Sequence, residues 1–366
     1  MAASRALRDL RQQAIAHTFF QPLALEATVQ RMGFVQADPI RAPARAQDLI
    51  LRQRVPNYRS GELERRYPEL DLEEAFLHLY GFMPRALAAH LHPRSGLRLS
   101  KLEQQVLDKV GAMGAMHPRE LDAHFGRRRV INGWGGYSQA TKRALERLHY
   151  RGFLRVVRRD NGIRVYAKSA ANEEKKPAVE RMTALLRLLA ELLAPVQQRT
   201  LLSAAARVAR DLPRGADPRA ALRRLLAAGE LERQVVDDIA YLRPVPTAAA
   251  AEAPRRVRLL APFDPLVWDR DRFEHLWQWQ YRFEAYTPLA KRQRGYYALP
   301  LLWGDAVIGW CNATAVDGKL QASFGYAGKQ PRERSFRQAL EAELAGLEAF
   351  LEPGATTMNA TSQPEA

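Results

Sequence analysis

Gln36 and Asp38 stand one residue apart in the stretch GFVQADPIRAPARAQDLILRQRV, residues 33–55, with Pro39 directly after the carboxylate. A carboxylate can stabilise a cation or take a proton from water, and a side-chain amide can accept and donate hydrogen bonds at once. Arg41, Arg45, Arg52 and Arg54 follow. One reading of this order is structural: Asp38 caps the next helix, and the arginines form a solvated face. The other is chemical: a catalytic carboxylate heads a cationic row that faces a polyanion, and the row holds its pKa low. No Ser-His-Asp order, phosphate loop or dinucleotide fingerprint competes with it. The lone cysteine, Cys311, excludes an intramolecular disulfide and a cysteine-rich metal site, and no His-x-x-x-His pair occurs. Neither a metal nor another cofactor is expected.

Those residues need a scaffold. The chain has 366 residues, 47% of them hydrophobic, which suits two or three domains with substantial cores. The formal net charge of +16 favours a polyanionic partner such as nucleic acid. No apolar run reaches the length of a membrane span, and the first twenty residues lack a signal-peptide core. The expectation is a soluble, cytoplasmic, monomeric protein with no membrane partner.

Two stretches repeat a pattern. ALERLHYRGFLRVVRRDNGIRVYA begins at Ala144 and ALRRLLAAGELERQVVDDIAYLRP at Ala221. Each reads as a helix with an apolar face, a glycine (Gly152 or Gly229) fit for a left-handed cap, and a strand, turn and strand. In the first copy Asn161-Gly162 is a strong hairpin signal. Helices are predicted just upstream, at 117–126 and 195–209, and Asp217-Pro218 reads as an N-cap followed by proline at the first helical position. Helix, glycine and hairpin form the second half of a winged helix. A weaker third copy lies at 24–38, where a helix, Gly33 and an apolar strand follow one another. Between Arg127 and Lys168 there are twelve Lys or Arg and two acids, so this stretch carries ten of the sixteen net charges. Lys142, Arg143, Arg147 and Arg151 on the predicted recognition helix, with Arg158 and Arg159 on the wing, are candidate phosphate contacts. The later copy carries Asp237-Asp238 in its wing and reads as a packing domain. GWGGY, 133–137, reads as the turn entering the recognition helix.

Beyond the Pro/Ala-rich linker the pattern becomes strand-rich. RGYYALPLLWGDAVIGWCNATAVDGKLQASFGYA suggests four short strands, with turns at 303–305 and 317–318, in a small barrel or curled antiparallel sheet. YRFEAYTPLAKRQRGYY places Lys291, Arg292 and Arg294 in a basic hairpin between aromatic strands. An amphipathic helix closes the fold.

The blocks VQADPIRAPARAQDLILRQRV and LLAPFDPLVWDRDRFEHLW with YRFEAYTPLAKRQRGYYALPLLWGD resemble the winged-helix DNA glycosylases of the YcaQ/AlkZ type, in their Gln-x-Asp branch, across about residues 10–350. The resemblance implies an α+β fold of tandem winged helices followed by a small C-terminal antiparallel β-barrel. It implies a monofunctional DNA N-glycosylase with Gln36 and Asp38 as catalytic residues. His78, in EEAFLHLYGFMPR, loosely occupies the place of a histidine in those enzymes. The implied substrate is double-stranded DNA with alkylated bases or interstrand crosslinks. An N7-alkylated purine is already a good leaving group, so the site need only stabilise the sugar cation and aim a water. The expected division is an N-terminal domain at 1–110, a basic winged helix at 111–170, a second at 171–243, a linker at 244–256, the barrel with its terminal helix at 257–351 and a disordered tail at 352–366. The competing class is a winged-helix DNA-binding regulator, which needs the basic helix but neither Gln36 nor Asp38.

Overall fold

A computed structural model describes residues 4–352, except 97, 132–136, 171–175, 246–254 and 317–318. Several of its helices start where a side chain satisfies a free backbone group. Ser100 and Glu103 form a reciprocal capping box, and Asp217 accepts from the Arg219 N–H ahead of Pro218–Ala227. Gly33, Gly152 and Gly229 all take the left-handed conformation, at φ of +69°, +78° and +68°. Asn161 and Gly162, at φ +51° and +82°, turn one hairpin, and Asp237 and Asp238, at +50° and +61°, turn another.

These signals build three units with one order: helix, short strand, two helices, hairpin. The first has helix Leu25–Met32, β1 (Val35–Gln36), helices Ala46–Leu51 and Glu62–Arg66, and hairpin β2 (Leu72–Phe76) and β3 (Tyr80–Pro84). The middle unit has helices Lys101–Met113 and Pro118–Phe125, a small hairpin β4 (Arg129–Ile131) and β5 (Tyr137–Gln139), helix Ala140–Tyr150, and hairpin β6 (Leu154–Asp160) and β7 (Ile163–Lys168). There a single bridge, Met116 to Tyr166, takes the place of the short strand. The third has helix Ala178–Leu192, β8 (Val196–Gln197), helices Gln198–Ala209 and Pro218–Ala227, and hairpin β9 (Leu231–Val236) and β10 (Ile239–Pro244). In the first and third units the last strand lies in the middle of an antiparallel sheet, in the orders β1-β3-β2 and β8-β10-β9.

Three expectations need correction. The helix before Gly33 begins its unit instead of ending it, so the hairpin of that unit lies at 72–84 and carries His78 in its turn. The C-terminal sheet is open. Its order is β11 (Val257–Leu259), β12 (Leu299–Trp303), β13 (Ala306–Val316), β14 (Lys319–Tyr326), and among the described residues no pairing closes it into a barrel. The expected turn at 303–305 is present, with Gly304 at φ +60°; the one at 317–318, most of GWGGY and the tail lie outside the described residues. The segment from Tyr281 to Ala298 is a loop with turns and one short 3-10 helix, Leu289–Lys291, and not a hairpin between strands.

The C-terminal region is knitted into the rest. Leu10 and Ile15 of helix Arg5–Thr18 share a core with Leu260, Phe273, Leu276 and Leu302. Arg54 donates to both carboxylate oxygens of Asp264 at 2.9 and 3.0 Å, and neither side chain has exposed surface. Arg52 and Gln53 both reach Glu343 of the terminal helix Arg334–Leu351. Among the described residues no helix is long and apolar enough to cross a membrane.

Candidate active site

The Gln36-to-Asp38 segment is held by backbone geometry. Gln36 lies opposite Gly81 in the β1–β3 pair. A Cβ at Gly81 would fall 2.3 Å from the Val35 carbonyl oxygen and 2.5 Å from the Phe34 ring, so only glycine lets β1 lie this close. The Ala37 N–H then donates to Tyr80 O at 2.9 Å, and the Asp38 N–H donates to Gln47 Oε1 at 3.3 Å. Asp38 does not cap a helix. Its Oδ1 accepts from the Ile40 N–H at 2.9 Å, an Asx turn, and the next helix starts only at Ala46. The carboxylate is partly buried. That burial raises its pKa above the ordinary value, and the Ile40 N–H offsets part of the rise. The expectation that arginines depress it fails because Arg45 is turned to Glu64 and Arg41 points outward.

His78 sits beside this segment, in the turn whose Leu77 N–H donates to Leu79 O. Its imidazole meets the edge of Trp268 at 4.6 Å and lies 5.6 Å from Phe34. Gln36, His78, Phe263, Pro265 and Trp268 line one narrow pocket. Burial, with a smaller push from Arg207, takes the His78 pKa down to about 3, so the ring is neutral at physiological pH. Among the described residues nothing bonds to its Nδ1. Tyr297 adds a second unsatisfied group: its ring is packed by Phe263 and Phe283, and its buried hydroxyl has no partner among the described residues. Burial raises the Tyr297 pKa, and the charge of Asp38 raises it further, which puts the two side chains in one electrostatic neighbourhood. Sequence reasoning missed Tyr297 and Trp268. The signal for Trp268 was present in FDPLVW, where Asp264 accepts from the Leu266 N–H and Pro265 opens a short helix ending at Trp268.

Residues 29–350 match the family of AlkZ-like DNA glycosylases. The chain belongs to that family. Its fold is also similar to that of Streptomyces sahachiroi DNA glycosylase AlkZ, with a TM-score of 0.59 at 16% identity over 96% of this chain and 97% of that one.

For a DNA glycosylase the arginines divide sharply. Arg54 is fully buried and also donates to the carbonyls of Thr18 and Ile50, and Arg52 is paired with Glu343 in a nearly buried contact. Neither offers a face to phosphate, so both are structural, contrary to expectation. Arg159 is also removed from the candidate phosphate contacts: it grips both oxygens of buried Glu74, at 2.8 and 2.6 Å, and clamps the β6–β7 hairpin onto the first unit. Arg164 joins this clamp at 3.4 Å from Glu74 and stacks over Tyr80. Arg151 lies over Phe153, and Arg147 reaches Glu103 at 2.9 Å while its own side chain is half exposed. Lys142 and Arg143 are exposed on helix Ala140–Tyr150 and Arg158 on β6, with Arg158 beside Asp160. Lys291 is exposed, Arg292 lies over Tyr296, and Arg294 lies over Trp279 and Trp310.

Proposed function

We propose that this glycosylase hydrolyses the N-glycosidic bond of N7-alkylated purines in duplex DNA, with Asp38 and Gln36 handling the attacking water. The observation that carries the reading is the pinned Gln36–Asp38 segment, whose Gln36 lines a pocket walled by a neutral His78 and Trp268. The C1′–N9 bond breaks and its electron pair leaves with the base, which neutralises the cationic purine. The water oxygen bonds to C1′ and its proton passes to Asp38. The ionised carboxylate also stabilises the positive charge that develops on the sugar. Gln36 orients the water through its carbonyl oxygen. His78 serves as a neutral hydrogen-bonding group, since a proton on it is strongly disfavoured. Among the described residues no lysine lines the pocket, which supports simple hydrolysis without a Schiff base. The three helix–strand–hairpin units are winged helices in this reading, and Arg41, Lys142, Arg143, Arg147, Arg158 and Lys291 supply phosphate contacts. Because a cationic leaving base asks little of the enzyme, the same chemistry extends to unhooking interstrand crosslinks made through N7.

The test is single-turnover excision of N7-methylguanine from duplex DNA, with abasic sites revealed by heat or alkali. Asp38→Asn should bind DNA almost as well as wild type and lose excision by about two orders of magnitude or more. A wild-type rate in that variant refutes the catalytic assignment, and no excision by the wild type leaves a DNA-binding protein.

A further inference from the structure

The loop from Arg282 to Tyr296 exposes what a folded protein usually hides. Tyr286 is 83% exposed, Leu289 79% and Tyr296 44%. Yet the loop is tightly built. One oxygen of the buried Glu284 carboxylate accepts from the backbone N–H of Gln293 at 3.0 Å, Arg294 at 2.8 Å and Gly295 at 3.2 Å. Arg292 Nε closes the other side on Thr287 O at 2.8 Å, and Asn312 of β13 donates to Arg294 O at 2.6 Å. Gly295 has φ +120°, and a Cβ there would fall 2.3 Å from Asn312 Oδ1. Such bonding holds apolar side chains out in water in a fixed direction, which costs free energy unless a partner covers them.

The base of the loop locates that partner. Tyr286 packs on Phe283, centroids 6.1 Å apart, and Phe283 packs on Tyr297 at 5.4 Å and Phe263 at 5.0 Å. Phe263 is a wall of the pocket that holds Gln36 and His78. The loop therefore stands at the rim of the candidate active site. Residues 282–296 contain four cations, Arg282, Lys291, Arg292 and Arg294, against one acid, Glu284, whose charge is turned inward onto backbone N–H groups. An apolar tip inside a cationic frame suits the bases of a nucleic acid whose phosphates meet the frame.

We propose that Tyr286 and Leu289 form a wedge that enters the base stack of duplex DNA beside the damaged nucleotide and opens it toward the pocket lined by Gln36 and His78. This rests on the glycosylase reading for its substrate. Nucleobases are the partner because insertion offers the tip the apolar burial that it lacks, while the surrounding cations hold the strands on either side.

The experiment uses the full chain with Tyr286→Ser and Leu289→Ser together, both at exposed positions, so the melting temperature should not change. The first readout is binding to a duplex with 2-aminopurine next to the lesion. Wild-type protein should raise its fluorescence by unstacking it, and the double variant should not. The second is excision, which should fall roughly tenfold to a hundredfold on a fully paired duplex and recover to within about twofold when the lesion sits in a bulge already unstacked. The slope of log affinity against log salt should stay as in wild type, since no phosphate contact is removed. Equal fluorescence and excision for the two proteins on paired duplex overturns the wedge. So does a wild-type dimer that the variant converts to monomer without a change in fluorescence, because the patch would then be covered by a second copy. The fluorescence arm needs no base release, so a wild type that unstacks DNA but excises nothing contradicts the catalytic reading and leaves the wedge standing.

Discussion

Arg54 and Asp264 separate the arginines that hold the fold from those proposed to hold DNA. Their charges are 210 positions apart in sequence, joined through two hydrogen bonds at 2.9 and 3.0 Å with no exposed surface on either side chain. Asp264→Ala leaves a buried guanidinium whose remaining side-chain contacts are the carbonyls of Thr18 and Ile50 and the face of Phe19. Breaking one side of a buried pair costs about 3–5 kcal/mol. Asp264 also caps the Leu266 N–H, and losing that cap costs about 1 kcal/mol more. The expected total, about 4–6 kcal/mol, is a large part of the stability of most folded proteins. The double change Arg54→Met with Asp264→Leu removes both charges and should recover most of that loss, because an apolar pair of similar volume escapes the desolvation cost. Urea unfolding gives the stabilities, and a salt titration of DNA binding gives the second readout. The double variant should keep the wild-type salt slope. A stable Asp264→Ala, or a double variant whose salt slope drops by about one unit, refutes the structural assignment and returns Arg54 to the phosphates. The same contacts argue that residues 256–366 cannot be cut away to leave the three helix–strand–hairpin units soluble, since the cut also strips Glu343 from Arg52 and most of the core partners from helix Arg5–Thr18.

Burial raises the Asp38 pKa, so the acid limb of excision against pH should have its midpoint above the usual carboxylate range, and Asp38→Asn should abolish that limb; a midpoint below that range contradicts the site geometry. Because the folded pKa is the higher one, Asp38 costs stability as pH rises from its unfolded value of about 4 to the raised folded value, and the Asn variant should melt no lower than wild type at neutral pH. Lys142→Ala with Arg143→Ala should flatten the salt slope by about two units and leave sequence preference alone, whereas an unchanged slope places that helix face away from DNA. Tyr297→Phe removes a hydroxyl with no partner among the described residues, so thermal stability should hold or rise; excision should fall about tenfold if that hydroxyl shares the water with Asp38, as a rate assay and a melt together decide.

What the sequence made legible was local. A left-handed glycine after a helix, a two-residue turn with positive φ and an Asp-Pro helix start each depend on a few neighbouring residues, and Gly152, Gly229, Asn161-Gly162 and Asp217-Pro218 all behave as their chemistry requires. The first unit was misframed for the same reason. Helix–Gly33–strand looks alike at the start and the end of such a unit, and only the pairing of β1 with β3, across more than forty residues, tells them apart. The segment that carries His78, Leu72 to Pro84, mixes alternating and continuous apolar residues and reads as helix or strand until its partner strand is known.

The allocation of charge was not legible at all, because it is decided by burial. Arg41, Arg45, Arg52 and Arg54 look equivalent in a row, yet one faces solvent, one pairs with Glu64, one with Glu343 and one with Asp264. With its neighbours committed elsewhere, Asp38 carries its charge in a partly buried place against desolvation. That reverses the inference drawn from the arginine row and strengthens the chemical one. A carboxylate surrounded by cations is comfortable and a poor base, whereas one held in place by Gln47 and Ile40 with its charge under-solvated gains most when a sugar cation or a water proton arrives beside it.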